Sequence, residues 1–276
     1  MHKPNLRNFF KYLYARMEIA LMGCGVINKV KLSIYAVLDS LPQPLIRVLP
    51  QHLQHLIEST KSLLVKEVII NYHGVSFSLL DSVSVFTLMR VHEPWMWDLL
   101  RLKRGDVFVD VGAHIGKYSV VVAKVVGENG LVIAIEPHPE NYKVLNRNIR
   151  LNNLNNVIAL NIAAWSKEGK LKLFIGKGSD LHSVKRDHGL GFYYVQAKAL
   201  DDVLDALNIR KVDYVKIDVE GAELEVLKGM ERTLKRFRPI VIVEITENLD
   251  EVMKLMLMNG YHGKLVDQDY YIFKPL

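Results

Sequence analysis

Two short stretches of this sequence hold residues whose types and spacing suit chemistry. In "VFVDVGAHIGKYSV", Val107 to Val120, Asp110 precedes Gly112 and Gly116 between two apolar runs. Glycine has no Cβ, so a backbone built from it can approach a ligand closely, and Asp110 can meet a cationic group. The next apolar run ends in "IEP", which places Glu136 to accept hydrogen bonds from a ribose diol. In "VKIDVEGAE", Asp218 closes an apolar run and Glu220 follows before Gly221, while Glu244 ends "VIVE". If those two runs are neighbouring strands, the three acids meet. A carboxylate in such a cleft can take the proton of a hydroxyl as its oxygen attacks an electrophile. Asp218 is the first choice as catalytic base and Glu220 the second. Glu220 reads equally as a group that orients the acceptor, or as a cap on the following helix, where an anion gains about 0.3–1 kcal/mol. Carboxylates in this number can also hold Mg²⁺ or Ca²⁺. No H-x-x-x-H pair accompanies them, so no metal is the preferred reading.

Three cofactors use a glycine turn with an acid at a strand end. A P-loop requires G-x-x-x-x-G-K-[ST], and no such lysine pair follows these glycines. A dinucleotide turn requires G-x-G-x-x-G, and position 114 is histidine. S-adenosylmethionine has an ammonium, a carboxylate and a ribose but no phosphates. It suits Asp110 near its amino-acid end and Glu136 on its ribose.

These residues need a scaffold, and the apolar periodicity supplies one. Strands are expected at Val107–Val111, Val132–Glu136, Val157–Ala163, Val212–Asp218 and Ile240–Ile245. Helices are expected near Tyr118–Val126, Asn141–Leu151, Leu200–Leu207, Ala222–Lys235 and Glu247–Met258. Lys170–Ile175 and the region of Val195 read as extra strands, and "YHGKLVDQDYYIFKP" as a closing strand pair. Near-continuous apolar strands alternating with helices imply a parallel sheet covered on both faces, with an antiparallel strand added by the final hairpin. Ligands of such sheets sit beyond the carboxyl ends of the strands, where strand order reverses. The polar loop Gly178–Tyr194 has the length of a substrate lid. Its Tyr193, Tyr194 and His182 are placed to touch an acceptor, although His182 and His188 read first as solvated.

In order and spacing, "FVDVGAHIGKYSV", "AIEPHPENYKVLNRNIRLNNLNNV", "NIAAWSKEGKLKLF", "ALDDVL" and "VDYVKIDVEGAELEVLKGM" resemble the FkbM-type S-adenosylmethionine-dependent methyltransferases. The likeness runs from about Val68 to Ile245, and "KIDVEGAELEVLKG" is its most specific part. It implies an α/β, Rossmann-like class I methyltransferase fold, with a mostly parallel seven-stranded sheet and an antiparallel C-terminal strand. It also implies transfer of a methyl group to a hydroxyl, often on a sugar or natural product. By position, Asp110, Gly112, Ala113, His114, Gly116, Glu136, Pro137 and Asp218 would bind cofactor. Ala163 and Ala164, at the end of the third strand, would flank the adenine. Glu93 in "VHEPW" matches a glutamate upstream of the glycine turn. His114 stands where many members carry asparagine, and both can hydrogen-bond the methionine end.

Half of the 276 residues are hydrophobic, enough for a sizeable core. The single cysteine, Cys24, excludes an intrachain disulfide and points to a reducing, cytoplasmic setting. The net charge of +6 is concentrated in residues 1–66, which hold nine Lys/Arg against three acids; the remainder holds 27 of each sign. A basic helical extension over 1–66 and a methyltransferase domain over 67–276 are therefore expected. "LPQPL" breaks the extension into two helical blocks, the first marked by Phe9, Tyr12, Leu13, Met17, Ala20 and Leu21. "IALMGCGVI", Ile19 to Ile27, is too short to span a bilayer. The expected partner is a small-molecule or glycan hydroxyl. Membrane-surface or partner contact through residues 1–60 is a rival role for the chain, set against a helical cap packed on a core. Methylation of RNA at ribose or base carbon is the other rival. The neutral charge of 67–276 and the loop "DVEG" argue against nucleic acid.

Overall fold

The structure is a computed structural model. It describes Tyr14 and residues 17–89 and 92–276. Phe9, Tyr12 and Leu13 lie outside the described residues. The chain divides between Leu99 and Leu100 into two compact units.

In the first unit, helices α1 (Gly25–Asp39), α2 (Gln43–Arg47) and α3 (Gln51–Val65) precede a hairpin of β1 (Ile69–Tyr72) and β2 (Val75–Ser78). Short helices α4 (Ser82–Thr87) and α5 (Met96–Leu99) follow. Pro42 and Pro50 stand at the N-caps of α2 and α3, because proline tolerates a helix start and not a helix interior. Helix α1 packs on α3 and buries Leu32, Tyr35 and Ala36. The ammonium of Lys61, nearly buried on α3, lies 2.9 Å from Asp39. The hairpin turns through His73 (φ 49°) and Gly74 (φ 77°), the pair of left-handed residues that a two-residue turn requires.

The second unit holds β3 (Val107–Val111), α6 (Lys117–Val126), β4 (Leu131–Ile135), α7 (Pro139–Leu151) and β5 (Val157–Leu160). Three short strands come next: β6 (Ala163–Ala164), β7 (Gly169–Phe174) and β8 (Phe192–Lys198). Then follow α8 (Leu200–Ala206), β9 (Tyr214–Ile217), α9 (Glu223–Lys228), α10 (Glu231–Phe237), β10 (Ile240–Glu244), α11 (Leu249–Met258), β11 (Tyr261–Asp267) and β12 (Tyr270–Pro275). Seven strands form one sheet in the order β11-β12-β10-β9-β3-β4-β5. Within it only β12 runs against its neighbours. The strand faces carry Val109, Val111, Ile133, Ile135, Val215, Ile217, Val241 and Val243, all essentially inaccessible to water. Each such side chain contributes about 1.5–3 kcal/mol through burial. The order reverses at β3, whose neighbours are β4 on one side and β9 on the other. In sheets of this kind ligands sit beyond the carboxyl ends of the strands at such a reversal, here the ends of β3 and β9.

Three expected elements differ. The strand Val157–Ala163 stops at Leu160, and Ala163–Ala164 instead join a separate three-stranded sheet by pairing with β8. The helix Ala222–Lys235 is two helices. A Cβ on Gly229 would lie 2.0 Å from the carbonyl oxygen of Trp165, so only glycine lets that segment pack where the first helix ends. The second helix then starts on a cap from another element: the buried Asp201 carboxylate accepts from the backbone N–H groups of Arg232 (2.9 Å) and Thr233 (2.8 Å). The helix expected from Glu247 begins at Leu249, after Asn248 in the left-handed region.

Candidate active site

The glycine turn between β3 and α6 is shaped first by the protein itself. Gly112 has φ 81°, and a Cβ on it would sit 1.8 Å from the carbonyl oxygen of Asp218. Gly116 has φ 93°, and a Cβ there would press on Leu145 at 2.6 Å. Both glycines are thus demanded by neighbouring elements and by left-handed backbone as well. His114 is left-handed too, at φ 52°.

The turn's N–H groups are spent on the protein. Gly112 and Ala113 both donate to the Ile135 carbonyl, at 2.9 and 3.0 Å, and Gly116 donates to Ala113 at 2.8 Å. The His114 N–H donates to Glu136 Oε2 at 2.8 Å. A phosphate cradle needs free backbone donors, and this turn offers four fewer. That suits a cofactor without phosphates.

Asp110 is fully buried; Ser119 donates to its Oδ2 at 2.5 Å. Its other oxygen is buried with no hydrogen-bond partner. Burial pushes its carboxyl up, against the opposing pull of Lys216 and Ser119. Glu136 is 5% exposed. Its Oε1 accepts from the His138 N–H at 2.9 Å. Burial lifts this carboxyl to about 7 in spite of the donors from His138 and His114. Burial holds the imidazole of His138 down to about 4. Asn141 donates to Glu136 at 3.4 Å and to the Ser179 carbonyl at 2.8 Å, leaving its own Oδ1 buried and unpartnered. The orphaned oxygens of Asp110 and Asn141 fit a ligand rich in donors, such as an ammonium and ribose hydroxyls. Asn161 donates to the carbonyls of Glu136 (2.8 Å) and Pro137 (3.0 Å), which fastens the chain leading into Ala163 and Ala164 to the end of β4. Glu93 belongs to the first unit, where its carboxylate lies 3.3 Å from His92 Nδ1.

The acids at the ends of β9 and β10 meet, because these strands are parallel neighbours. Asp218, Glu220 and Glu244 each bring an oxygen within 4.8 Å of the others, a grouping able to hold a metal ion. Lys216 stands among them. It lies on β9 in register with Asp110 and with Ile242, its side chain is 2% exposed, and its Nζ is 2.8 Å from Asp218 Oδ2. Asp218 itself stays 27% exposed. Tyr270 on β12 also donates to Asp218, at 3.4 Å. Burial, reinforced by the charge of Asp218, pushes Glu244 well up and Glu220 to about 7. Glu220 does not cap the following helix. It sits in the turn at φ 51°, and Glu223 accepts the Gly221 N–H at 2.7 Å instead.

The loop of residues 175–191 is fastened to both groups. Ser179 Oγ lies 2.8 Å from His114 Nε2. The buried Ser183 donates to the Glu220 carbonyl at 2.7 Å. Arg186 lies 3.5 Å from Glu220 and 3.1 Å from Glu247. His182, read as solvated, is instead stacked on His138 at 3.8 Å and accepts the Gly176 N–H. Tyr193 meets His138 edge-on, whereas Tyr194 packs with Phe192 and Lys170. His188 is exposed.

Sequence reasoning missed Lys216, Asn141, Tyr270 and Arg186. For Lys216 a signal existed: a lysine two residues before Asp218, inside a strand otherwise apolar, shares a face with that acid and must be paired. Asn141 follows Glu136 by five residues, whereas Tyr270 and Arg186 are brought in by chain crossings that no local pattern announces.

Residues 110–262, more than half of the chain, match the family described as the methyltransferase FkbM domain. Methyltransferase sdnD of Sordaria araneosa is 31% identical over 183 residues, covering 55% of this chain and 70% of the relative. Hexuronic acid methyltransferase AglP of Haloferax volcanii is 30% identical over 187 residues, covering 62% and 74%. Among solved structures, the methyltransferase FkbM from Methylobacillus flagellatus KT superposes with a TM-score of 0.50 at 16% identity. That superposition covers 97% of this chain and 60% of the other, a likeness of fold.

Proposed function

This chain is a member of the FkbM family of S-adenosylmethionine-dependent methyltransferases, and from that premise we propose that it methylates a hydroxyl oxygen of a sugar, glycolipid or small natural product. The observation that carries this reading is Asp218, a carboxylate still open to water at the switch point and backed by the buried Lys216 ammonium at 2.8 Å. The relative named as a hexuronic acid methyltransferase supports a sugar acceptor. The balanced charge of residues 67–276, taken as the catalytic domain, weighs against RNA.

S-adenosylmethionine, when bound, supplies an electrophilic methyl group on a good leaving group, so the chain's own task is positioning and proton handling. Asp110, Asn141 and Glu136 hold the ammonium and ribose, helped by Gly112, Ala113, His114, Gly116 and Pro137. Ala163 and Ala164 line the adenine. Asp218 takes the acceptor's hydroxyl proton. Lys216 compensates its charge from behind. Glu244, pushed up by burial and by Asp218, keeps its proton at neutral pH and donates a hydrogen bond. Glu220 orients the acceptor, and the loop of 175–191 covers it. The positive charge a metal would bring is already present in Lys216, so the proposed route is metal-free.

The test is a transfer screen with methyl-labelled cofactor against sugars, glycolipids, small natural products and RNA. Asp218→Asn is expected to lower kcat, measured at saturating cofactor, by about 10²–10⁴-fold. Undiminished turnover would remove Asp218 as the base.

A further inference from the structure

Helix α1 is apolar on two faces, and only one of them is used. Leu32, Tyr35 and Ala36 are buried. On the other side Val26, Ile27, Val30, Ile34 and Val37 are 78, 74, 51, 47 and 66% exposed. At about 100° per residue these five fall within one arc of roughly 100°. Lys29 borders that arc on one side and Lys31 on the other, and the helix carries no acid before Asp39, whose carboxylate is paired with Lys61.

We propose that this arc of α1 docks on an anionic lipid surface, with Val26, Ile27, Val30, Ile34 and Val37 in the acyl boundary and Lys29 and Lys31 at the headgroups. An exposed apolar strip rimmed by polar residues marks an interaction surface. Its flanking lysines, with no acid among them, match an interfacial helix whose ammonium groups reach for phosphates. The strip from Val26 to Val37 is only about 17 Å long at 1.5 Å per residue, against a hydrocarbon core of about 30 Å. Among the described residues no helix is long and apolar enough to cross a membrane, so the helix would lie in the surface plane. A second copy of the chain is a poorer occupant. Residues 1–66 carry nine Lys/Arg against three acids, and joining two such faces would set lysine rims against each other. The inference does not rest on the methyltransferase reading.

Full-length protein is co-sedimented with phosphatidylglycerol-containing vesicles and with pure phosphatidylcholine vesicles, and its oligomeric state is measured by light scattering. Binding to the anionic vesicles is expected, weakening as salt is raised. The double variant Val30→Glu, Ile34→Glu changes only exposed positions, so its circular dichroism should be unchanged. Its partitioning should fall by roughly tenfold or more. Binding undiminished in that variant would overturn the proposal. So would absence of binding, whether the protein is then monomeric, pairs through this face or prefers an acidic protein.

Discussion

Replacing Lys216 by methionine isolates the role of the buried cation. Methionine keeps the length and apolar stem of lysine and removes only the ammonium. In the native chain that group is 2.8 Å from Asp218 and is the strongest influence opposing burial at Asp110. Breaking a buried pair from one side costs about 3–5 kcal/mol. Asp218 is 27% exposed and regains some hydration, which brings the expected loss to about 2–4 kcal/mol. At about 2–4 °C per kcal/mol for a chain of this size, the melting temperature should fall by roughly 5–15 °C. The pH dependence is the sharper readout. Asp110 is raised above its ordinary value in the folded state, and loss of Lys216 raises it further. A carboxyl raised by folding binds more protons in the native than in the unfolded chain between the two values, so stability falls as pH climbs through that interval. The deficit of Lys216→Met should therefore be smallest in acid and grow as pH rises. Calorimetric unfolding of both proteins across this range measures it. A variant as stable as the wild type at the alkaline end, or a deficit that grows toward acid, would refute the reasoning.

Gly112→Ala should cost about 3 kcal/mol or more, combining left-handed strain with a clash against the Asp218 carbonyl; ordinary urea stability in that variant would show that β9 can retreat. Cofactor affinity, measured by calorimetry, should rise as pH goes from about 6 to 8, because Glu136 stands at about 7 and ribose donors favour its ionised form. Glu136→Gln should flatten that rise, and a flat wild-type profile would contradict the assignment. Asp201→Ala should destabilise by about 2–3 kcal/mol, since one part-buried and one buried N–H group at the start of α10 lose their acceptor. Chelation by EDTA should leave methyl transfer unchanged if Lys216 supplies the positive charge; a loss restored by Mg²⁺ would favour a metal on Asp218, Glu220 and Glu244.

The five parallel strands were legible because each is a short apolar run between turn residues, and the acids were legible because they end those runs. Local pattern failed where a distant segment intervened. Trp165 packs against Gly229 where one helix ends, and Asp201 caps the next from another element. His182 looked solvated in a polar loop, yet it lies on His138. Ala163 left the sheet of β5 because β8, more than thirty residues on, offered it a partner.

By itself the sequence determined the order of strands and helices and put a carboxylate at the ends of four strands, β3, β4, β9 and β10, since periodicity and turn chemistry are local and survive without a fold. Tertiary structure alone decided what those carboxylates face. It set Lys216 between Asp110 and Asp218, brought Glu244 and Tyr270 to the same point, and pressed the Asp218 carbonyl against Gly112. Charge, burial and proton affinity depend on neighbours distant in sequence, and only the packing of β3, β9, β10 and β12 into one sheet makes them neighbours.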